Sequence, residues 1–372
     1  MNKKNLSVIG IGRLGLCFAM TLEEAGFNVV GCDINKDYVA SINKRTFSSI
    51  EPGLNEKIAK YNNFKATTSI AKTVAHSDLI FVTVASFSEP DGRYDVSQVY
   101  SVAAALIKLG RQDSTKHLVI CTNVNPGCSD EISERLRDLN WKVSFNPETI
   151  AQGTILKNQK YPDCVYIGSE TEEDALQIQE VYEAVCPNSP SVHKMDRLSA
   201  ELTKVSLNCF LTCKISFANM VGDLAIKIGA NPEKVLNAIG SDTRINNKFF
   251  KYGFGWGGPC FPRDTRAYVR LSKQNSIPHD MVDASMRINE SHIAQQVSNY
   301  LEAGYENYYT KSVAYKEGTN ILEESQQLRF AHELQKAGVD VTIEETEQVI
   351  RELKSKFGDI FTYIKRVSTP SG

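Results

Sequence analysis

Leu6-Ser7-Val8-Ile9-Gly10-Ile11-Gly12-Arg13-Leu14-Gly15 reads as a short apolar strand running into glycines spaced Gly-x-Gly-x-x-Gly. A helical pattern follows to about Ala25, and Gly26 is a C-cap signal. Phe27–Cys32 then reads as a second strand with Asp33 at its end. Strand, glycine turn, helix, strand and acid in this order are the dinucleotide fingerprint in its proper context. Gly10 makes the turn, and Gly12 lets a pyrophosphate approach backbone N–H groups at the helix start. Ile11, Leu14 and Gly15 complete the cradle. Asp33 can accept from a ribose hydroxyl and would repel a 2′-phosphate, so the expected cofactor is NAD rather than NADP. The alternative for the same residues is a glycine-tight strand–helix junction.

The alternation continues outward. Leu79–Ala85 and Leu118–Thr122 are near-continuous apolar runs, as parallel strands covered on both faces require. Val96–Leu109 is a helix between them, and Trp141–Phe145 is a further strand. Ligands of open α/β sheets sit outside the carboxyl ends of strands. That places Thr83, Ser86, Asn123 and Glu148 near the cofactor's reactive end.

With 372 residues the chain has room for two or three domains. The formal net charge of −2 gives no electrostatic reason to expect nucleic acid or an anionic membrane as partner. No apolar run reads as long enough to cross a bilayer, and nothing resembles an export signal. The nine cysteines are dispersed, with no Cys-x-x-Cys and no zinc spacing. Reduced thiols and a cytoplasmic protein without a metal are expected.

Asp196 is a plausible N-cap for a helix ending near Gly229, about 50 Å long at roughly 1.5 Å per residue. Such a helix joins domains or builds a dimer core. Lys204 and Asn208 lie one turn apart on it, a spacing that also suits a solvated stripe. Pro232–Ile239 is a shorter helix. Then comes Gly253-Phe254-Gly255-Trp256-Gly257-Gly258-Pro259-Cys260-Phe261-Pro262-Arg263-Asp264. The glycines suit a loop that approaches a ligand closely. Pro262 fits the first turn of a helix, which puts Cys260 at its N-terminus, where the dipole favours the thiolate. Asp264 would follow one turn later on the same face. The alternative is a glycine-rich turn with a buried, inert cysteine.

Taken together these segments resemble the UDP-glucose/GDP-mannose dehydrogenase family from Val8 to about Ile343. Besides the fingerprint and the Cys260 loop, the resemblance rests on Glu51-Pro52-Gly53-Leu54, Asn146-Pro147-Glu148, Ala200-Glu201-Leu202-Thr203-Lys204 with Asn208, Asp242-Thr243-Arg244-Ile245 and Ala314-Tyr315-Lys316. It implies an α/β protein of three parts: an NAD-binding Rossmann domain over 1–195, a central long-helix dimerisation domain over 196–300, and a short Rossmann-like nucleotide-sugar domain over 301–372. It implies oxidation of a sugar's C6 alcohol to the acid with two NAD, with UDP-glucose the first substrate to expect. Cys260 would be the nucleophile, Asp264 a base or water-orienting group, and Lys204 with Asn208 the oxyanion stabilisers. Glu148 would be a proton acceptor. Phe249, Tyr252, Gly253, Gly257 and Lys316 would bind the sugar nucleotide, and Arg244 would reach the partner subunit's substrate in a homodimer. A non-catalytic relative and a hydroxyacid dehydrogenase are the competing readings; the latter does not need the Gly-Gly-Pro-Cys loop.

The chain also departs from the family. Asn123 stands for a threonine, Gln152 for a glutamate beside the nicotinamide, and Arg263 for a lysine between Cys260 and Asp264. Gln152 and Arg263 are nonetheless expected to face the cofactor. Cys164 and Glu323 occupy positions where an arginine is common. Near the C-terminus Lys311–Tyr315, Gln326–Ala337, Val339–Ile343, Glu345–Lys356 and Ile360–Lys365 read as strand, helix, strand, helix, strand. This is shorter than usual, and Glu344-Glu345-Thr346 replaces Tyr-Asp-Pro, so base preference stays open.

Overall fold

The computed structural model describes residues 4–150, 153–316 and 319–366. The chain forms two compact units, residues 1–204 and 205–372.

The first unit is built on strands β1 (Asn5–Ile9), β2 (Asn28–Cys32), β3 (Phe64–Thr67) and β4 (Leu79–Val82), a small antiparallel hairpin of β5 (Phe87–Ser88) and β6 (Tyr94–Asp95), then β7 (Lys116–Ile120), β8 (Trp141–Phe145), β9 (Cys164–Gly168) and β10 (Ser191–Met195). The eight-stranded sheet has the order β10-β9-β8-β7-β4-β1-β2-β3. From β3 through β8 every neighbour is parallel; β8 and β9 meet antiparallel at Phe145 and Gly168. The order reverses between β1 and β4, which makes that crevice the switch point where such folds bind ligands. Helices cover both faces, so β1, β4 and β7 bury nearly every side chain, as their apolar runs require. Phe18, on the helix Arg13–Glu24, packs edge-on to Phe81 of β4 at 5.1 Å.

The helix Arg13–Glu24 ends as expected, with Gly26 at φ +97°. Within the run Leu79–Ala85 the strand ends at Val82; the Thr83 N–H still donates to the Ile9 carbonyl at 2.8 Å, and its hydroxyl serves the glycine turn. The long helix spans Arg197–Lys227, and Asp196 caps it by accepting from the Ser199 N–H at 2.8 Å. One expectation is corrected here. By length and composition this helix is apolar enough to cross a membrane, with a mean hydropathy of 1.3 over its best window. Only 39% of that window is buried, and polar residues interleave its apolar ones, so a linear scan for unbroken runs misses it.

The second unit carries the rest of the long helix, the helices Pro232–Gly240, Phe261–Gln274 and Asp280–Glu302, and a three-stranded parallel sheet. Its strands are β11 (Asn307–Thr310), β12 (Asp340–Glu345) and β13 (Thr362–Lys365), in that order. The strand expected at Lys311–Tyr315 lies four residues earlier. Thr310 turns the chain out of the sheet through hydrogen bonds with both the N–H and carbonyl of Ser312. The Ser312 hydroxyl then donates to the buried Glu345. Leu334, Ile343 and Leu353 form the core beneath this sheet.

Candidate active site

In the first unit Gly10 leaves β1 at φ +89°, and a Cβ there would lie 2.8 Å from the Val84 nitrogen. A Cβ on Gly15 would lie 2.1 Å from the Gly10 carbonyl oxygen and 2.2 Å from Thr83 Oγ1. The Thr83 hydroxyl donates to that same carbonyl at 2.7 Å. Gly10, Gly15 and Thr83 therefore lock strand, turn and helix together. The helix begins at Gly12 with no side-chain cap, which leaves its leading N–H groups facing outward for an anion. Ile11 is buried and its carbonyl accepts from the Tyr38 hydroxyl at 2.8 Å; Leu14 packs against the core. Asp33 ends β2 half-exposed, accepting from the Asn35 N–H at 3.0 Å. Ser86 is buried and Asn123 half-buried, beyond the ends of β4 and β7. An uncapped helix start, a glycine turn with no room for a Cβ, and an acid at the next strand end fit NAD. Asp33→Ser should narrow the preference for NAD over NADP by about tenfold or more, measured as the ratio of kcat/KM for the two cofactors.

Strand β8 delivers Glu148 through Asn146, which is itself fixed by the Tyr182 hydroxyl at 2.7 Å and by donation to the Tyr166 carbonyl. Gln159 donates to Glu148 at 2.7 Å. Burial raises the Glu148 pKa to about 7, while the Gln159 hydrogen bond and the Lys204 charge pull it down. Lys204 and Asn208 are each 8% exposed, so the solvated-stripe alternative does not hold.

Two buried carboxylates hold the loops around this site, and their roles are not visible in the sequence. Glu51 accepts from the N–H groups of Gly153 and Ile155 at 3.0 and 2.6 Å, gripping the segment that follows Gln152. Gln152 itself lies outside the described residues. Glu201 accepts from Gly127 and Ser129 at 2.6 and 2.9 Å, capping the helix Cys128–Leu136 and fixing the loop that carries Asn123. Both acids belong to motifs noted above, but their partners are distant in sequence and spacing gives no hint of them. Glu201→Ala leaves two N–H groups without acceptors. It should cost about 1–3 kcal/mol, read as a lower urea midpoint.

In the second unit Cys260 is the N-cap of the helix Phe261–Gln274, with Pro262 in the first turn. It is half-exposed, whereas Cys17, Cys121, Cys128, Cys186 and Cys209 are buried and burial raises their thiol pKa values. Asp264 lies one turn on and is fully buried. Its carboxylate accepts from Asn208 Nδ2 at 2.5 Å and from Arg263 Nε at 3.1 Å, and its N–H donates to the Cys260 carbonyl at 2.9 Å. Asn208, Asp264, Arg263 and Cys260 are thus brought together. Arg263, expected to face the cofactor, directs its Nε to Asp264.

The glycines of the loop are used differently from the expectation. A Cβ on Gly257 would lie 2.0 Å from the Glu324 carbonyl oxygen, and one on Gly258 would lie 2.3 Å from the Tyr315 ring. These positions are glycine because protein packs there. Around Gly253 nothing lies within 4 Å of the Cβ position, so it alone keeps an open face toward a ligand. Phe249 is exposed at φ +59°, a strained conformation for an aromatic residue. Tyr252 packs on Gly222, where a Cβ would sit 1.9 Å from its ring. Arg244 is exposed and held in the fork of Asp242 at 2.7 Å. The Lys316 carbonyl accepts from Thr319.

The NAD binding domain of the UDP-glucose/GDP-mannose dehydrogenase family matches residues 4–186, and the family's central domain matches residues 198–291. The chain belongs to the UDP-glucose/GDP-mannose dehydrogenase family. It is an NAD-dependent nucleotide-sugar dehydrogenase by that membership and by the cofactor cradle above. The UDP-glucose 6-dehydrogenase YwqF of Bacillus subtilis is 31% identical over 307 residues, covering 80% of this chain and 68% of the relative. UDP-glucose 6-dehydrogenase AglM of Haloferax volcanii is 29% identical over 353 residues, covering 90% and 82%. A UDP-glucose dehydrogenase structure from the archaeon Pyrobaculum islandicum superimposes with a TM-score of 0.87 at 29% identity, covering 98% of this chain and 87% of that one.

Proposed function

We propose that this dehydrogenase oxidises the C6 alcohol of a nucleotide sugar, UDP-glucose before others, to the uronic acid through a covalent intermediate on Cys260. The observation that carries this is the half-exposed Cys260 at a helix start, one turn from a buried Asp264 locked by Asn208 and Arg263. NAD, when bound at the fingerprint, accepts a hydride in each of two oxidations. In the first, Glu148 takes the C6 hydroxyl proton as the alcohol becomes an aldehyde. The Cys260 thiolate adds to the aldehyde carbon, forming a C–S bond and a thiohemiacetal. Lys204 and Asn208 stabilise the oxygen charge that develops. Loss of a second hydride gives a thioester. Water aligned by Asp264 attacks it, breaking the C–S bond and releasing the acid and the thiol.

The sequence-stretch assignments follow the same reading: cofactor binding by 1–195, dimerisation by 196–300 and the sugar's nucleotide by 301–372. Phe210, Phe217 and Leu224 recur every seven residues on the long helix and are all exposed, which supports a homodimer through that face. Arg244, exposed and preorganised by Asp242, would then serve the partner's substrate. A panel of UDP- and GDP-hexoses with NAD tests the proposal: reduced nicotinamide should appear at two equivalents per sugar. No turnover with any of them, in folded protein that binds NAD, contradicts it.

Glu148 must be ionised to accept a proton, and its pKa is raised to about 7. Activity is therefore lost as pH falls through that value, and kcat/KM should rise with pH to a plateau above it. Glu148→Gln removes this limb. Lys204→Ala moves the inflection upward in whatever activity remains, because the Lys204 charge lowers the Glu148 pKa.

A further inference from the structure

Two helices of the second unit present a row of polar side chains to the glycine loop. The long helix supplies Asn219 and Asp223, one turn apart. The helix Asp280–Glu302 supplies Asn289, His292 and Gln296, whose spacing puts them on one face. Asn289 grips Trp256 at both ends, accepting from its N–H at 2.9 Å and donating to its carbonyl at 3.0 Å. Gly253 is gripped likewise. Its N–H donates to Asn219 at 3.1 Å, and its carbonyl accepts from His292 Nε2 at 2.7 Å and Gln296 Nε2 at 3.2 Å.

His292 is 1% exposed. Its other ring nitrogen, Nδ1, lies 2.7 Å from Asp223 Oδ2. Asp223 Oδ1 accepts from the Tyr252 hydroxyl at 2.9 Å, and the Tyr252 ring meets the imidazole edge-on at 5.5 Å. Burial and the Asp223 charge raise the Tyr252 pKa, so the phenol keeps its proton and donates. The imidazole thus faces a carbonyl on one side and a carboxylate on the other. With Asp223 ionised neither is a donor, so both ring nitrogens would carry hydrogen, which only the doubly protonated ring can do.

We infer that His292 is a positioning residue for sugar-nucleotide binding: as an imidazolium paired with Asp223, it pins the inner face of Gly253 and leaves the outer face for the substrate. The inference rests on the proposed role of residues 249–257 as the substrate loop. Gly253 bridges the two demands, since its Cβ side is open while both its peptide groups are held. A neutral ring would set a nitrogen lone pair against the Gly253 carbonyl or the Asp223 carboxylate, and the loop would lose its register.

Two measurements test it. In long-range 1H–15N spectra of the 15N-labelled full chain near neutral pH, the His292 signals, assigned by their loss in His292→Leu, should show both ring nitrogens protonated. In steady-state kinetics His292→Leu should raise KM for the sugar nucleotide by about 10- to 100-fold, the value of a hydrogen bond to a charged group, with kcat and NAD affinity little changed. Asp223→Asn should act in the same direction, and the double variant should be no worse than His292→Leu alone. A His292 ring with one unprotonated nitrogen overturns the inference, as does an unchanged KM in folded His292→Leu. The spectra need no substrate. Wild-type protein that oxidises no nucleotide sugar would therefore fail the proposed function while His292 is still decided by its own signals.

Discussion

Cys260→Ala should lower acid formation by at least about 10³-fold, the scale on which removal of an enzyme nucleophile acts. NAD affinity should stay at the wild-type value, because the cofactor cradle of Gly10, Gly15, Thr83 and Asp33 lies in the other compact unit. The predicted loss is specific to the second oxidation. An aldehyde has no good route to a carboxylic acid at a nicotinamide unless a nucleophile first converts it to a tetrahedral adduct that can give up hydride. Cys260 can supply that adduct because it is half-exposed at a helix start, while the buried thiols are held protonated by burial. Cys260→Ser is the sharper control. Its side chain is nearly isosteric, but a hydroxyl is a poor nucleophile without an adjacent base, so acid formation should fall almost as far. Measuring acid by anion-exchange chromatography checks both variants. Retention of most acid formation by either would mean that the thiol has no part in the second oxidation.

Gly15→Val should weaken NAD binding by about 10- to 100-fold or more, measured by calorimetry. The pro-Cβ position of Gly15 is 2.1 Å from the Gly10 carbonyl and 2.2 Å from the Thr83 hydroxyl, so any side chain must push the helix off the strand. That movement withdraws the leading N–H groups from the pyrophosphate, and it breaks the Thr83–Gly10 hydrogen bond. Gly12 has open space where a Cβ would be, so Gly12→Ala should be far milder without a ligand and should act only through the bound cofactor. Unchanged NAD affinity in folded Gly15→Val would mean that the turn tolerates disruption and that the fingerprint is not the cofactor's seat.

The first unit was legible in the sequence because each of its signals is local. A glycine turn, an apolar parallel strand and a C-capping Gly26 act within a few residues, and β1, β2, β7 and β8 appear within a residue or two of where the pattern puts them. Cys260 at the N-cap and Asp196 at the start of the long helix were readable for the same reason. The strands β9 and β10 escaped notice. Ser191–Met195 is a short, largely exposed edge segment, and Cys164–Gly168, between it and β8, has only five residues. The misplacement of β11 has a cause of the same kind. Asn307–Thr310 carries little apolar character, whereas the following Val313 and Ala314 are buried in a loop held by Ser312 and Glu345.

What spacing could not supply were the contacts between segments remote in sequence. Glu51 on residues 153–155, Glu201 on residues 127–129 and His292 on Gly253 are each a buried polar group satisfied by a distant backbone. The loop glycines show the same limit from the other side. Their number announced a close approach, and the structure shows that at Gly257 and Gly258 the approaching group is the protein's own Glu324 and Tyr315.

The most direct test of the central claim is peptide mass spectrometry on enzyme quenched with acid during turnover with NAD and the oxidised nucleotide sugar. The account predicts a fraction of the peptide containing Cys260 carrying the sugar nucleotide as a thioester, absent from Cys260→Ser and from samples without NAD. Unmodified Cys260 throughout, in enzyme that still releases two reduced nicotinamides per sugar, would contradict it.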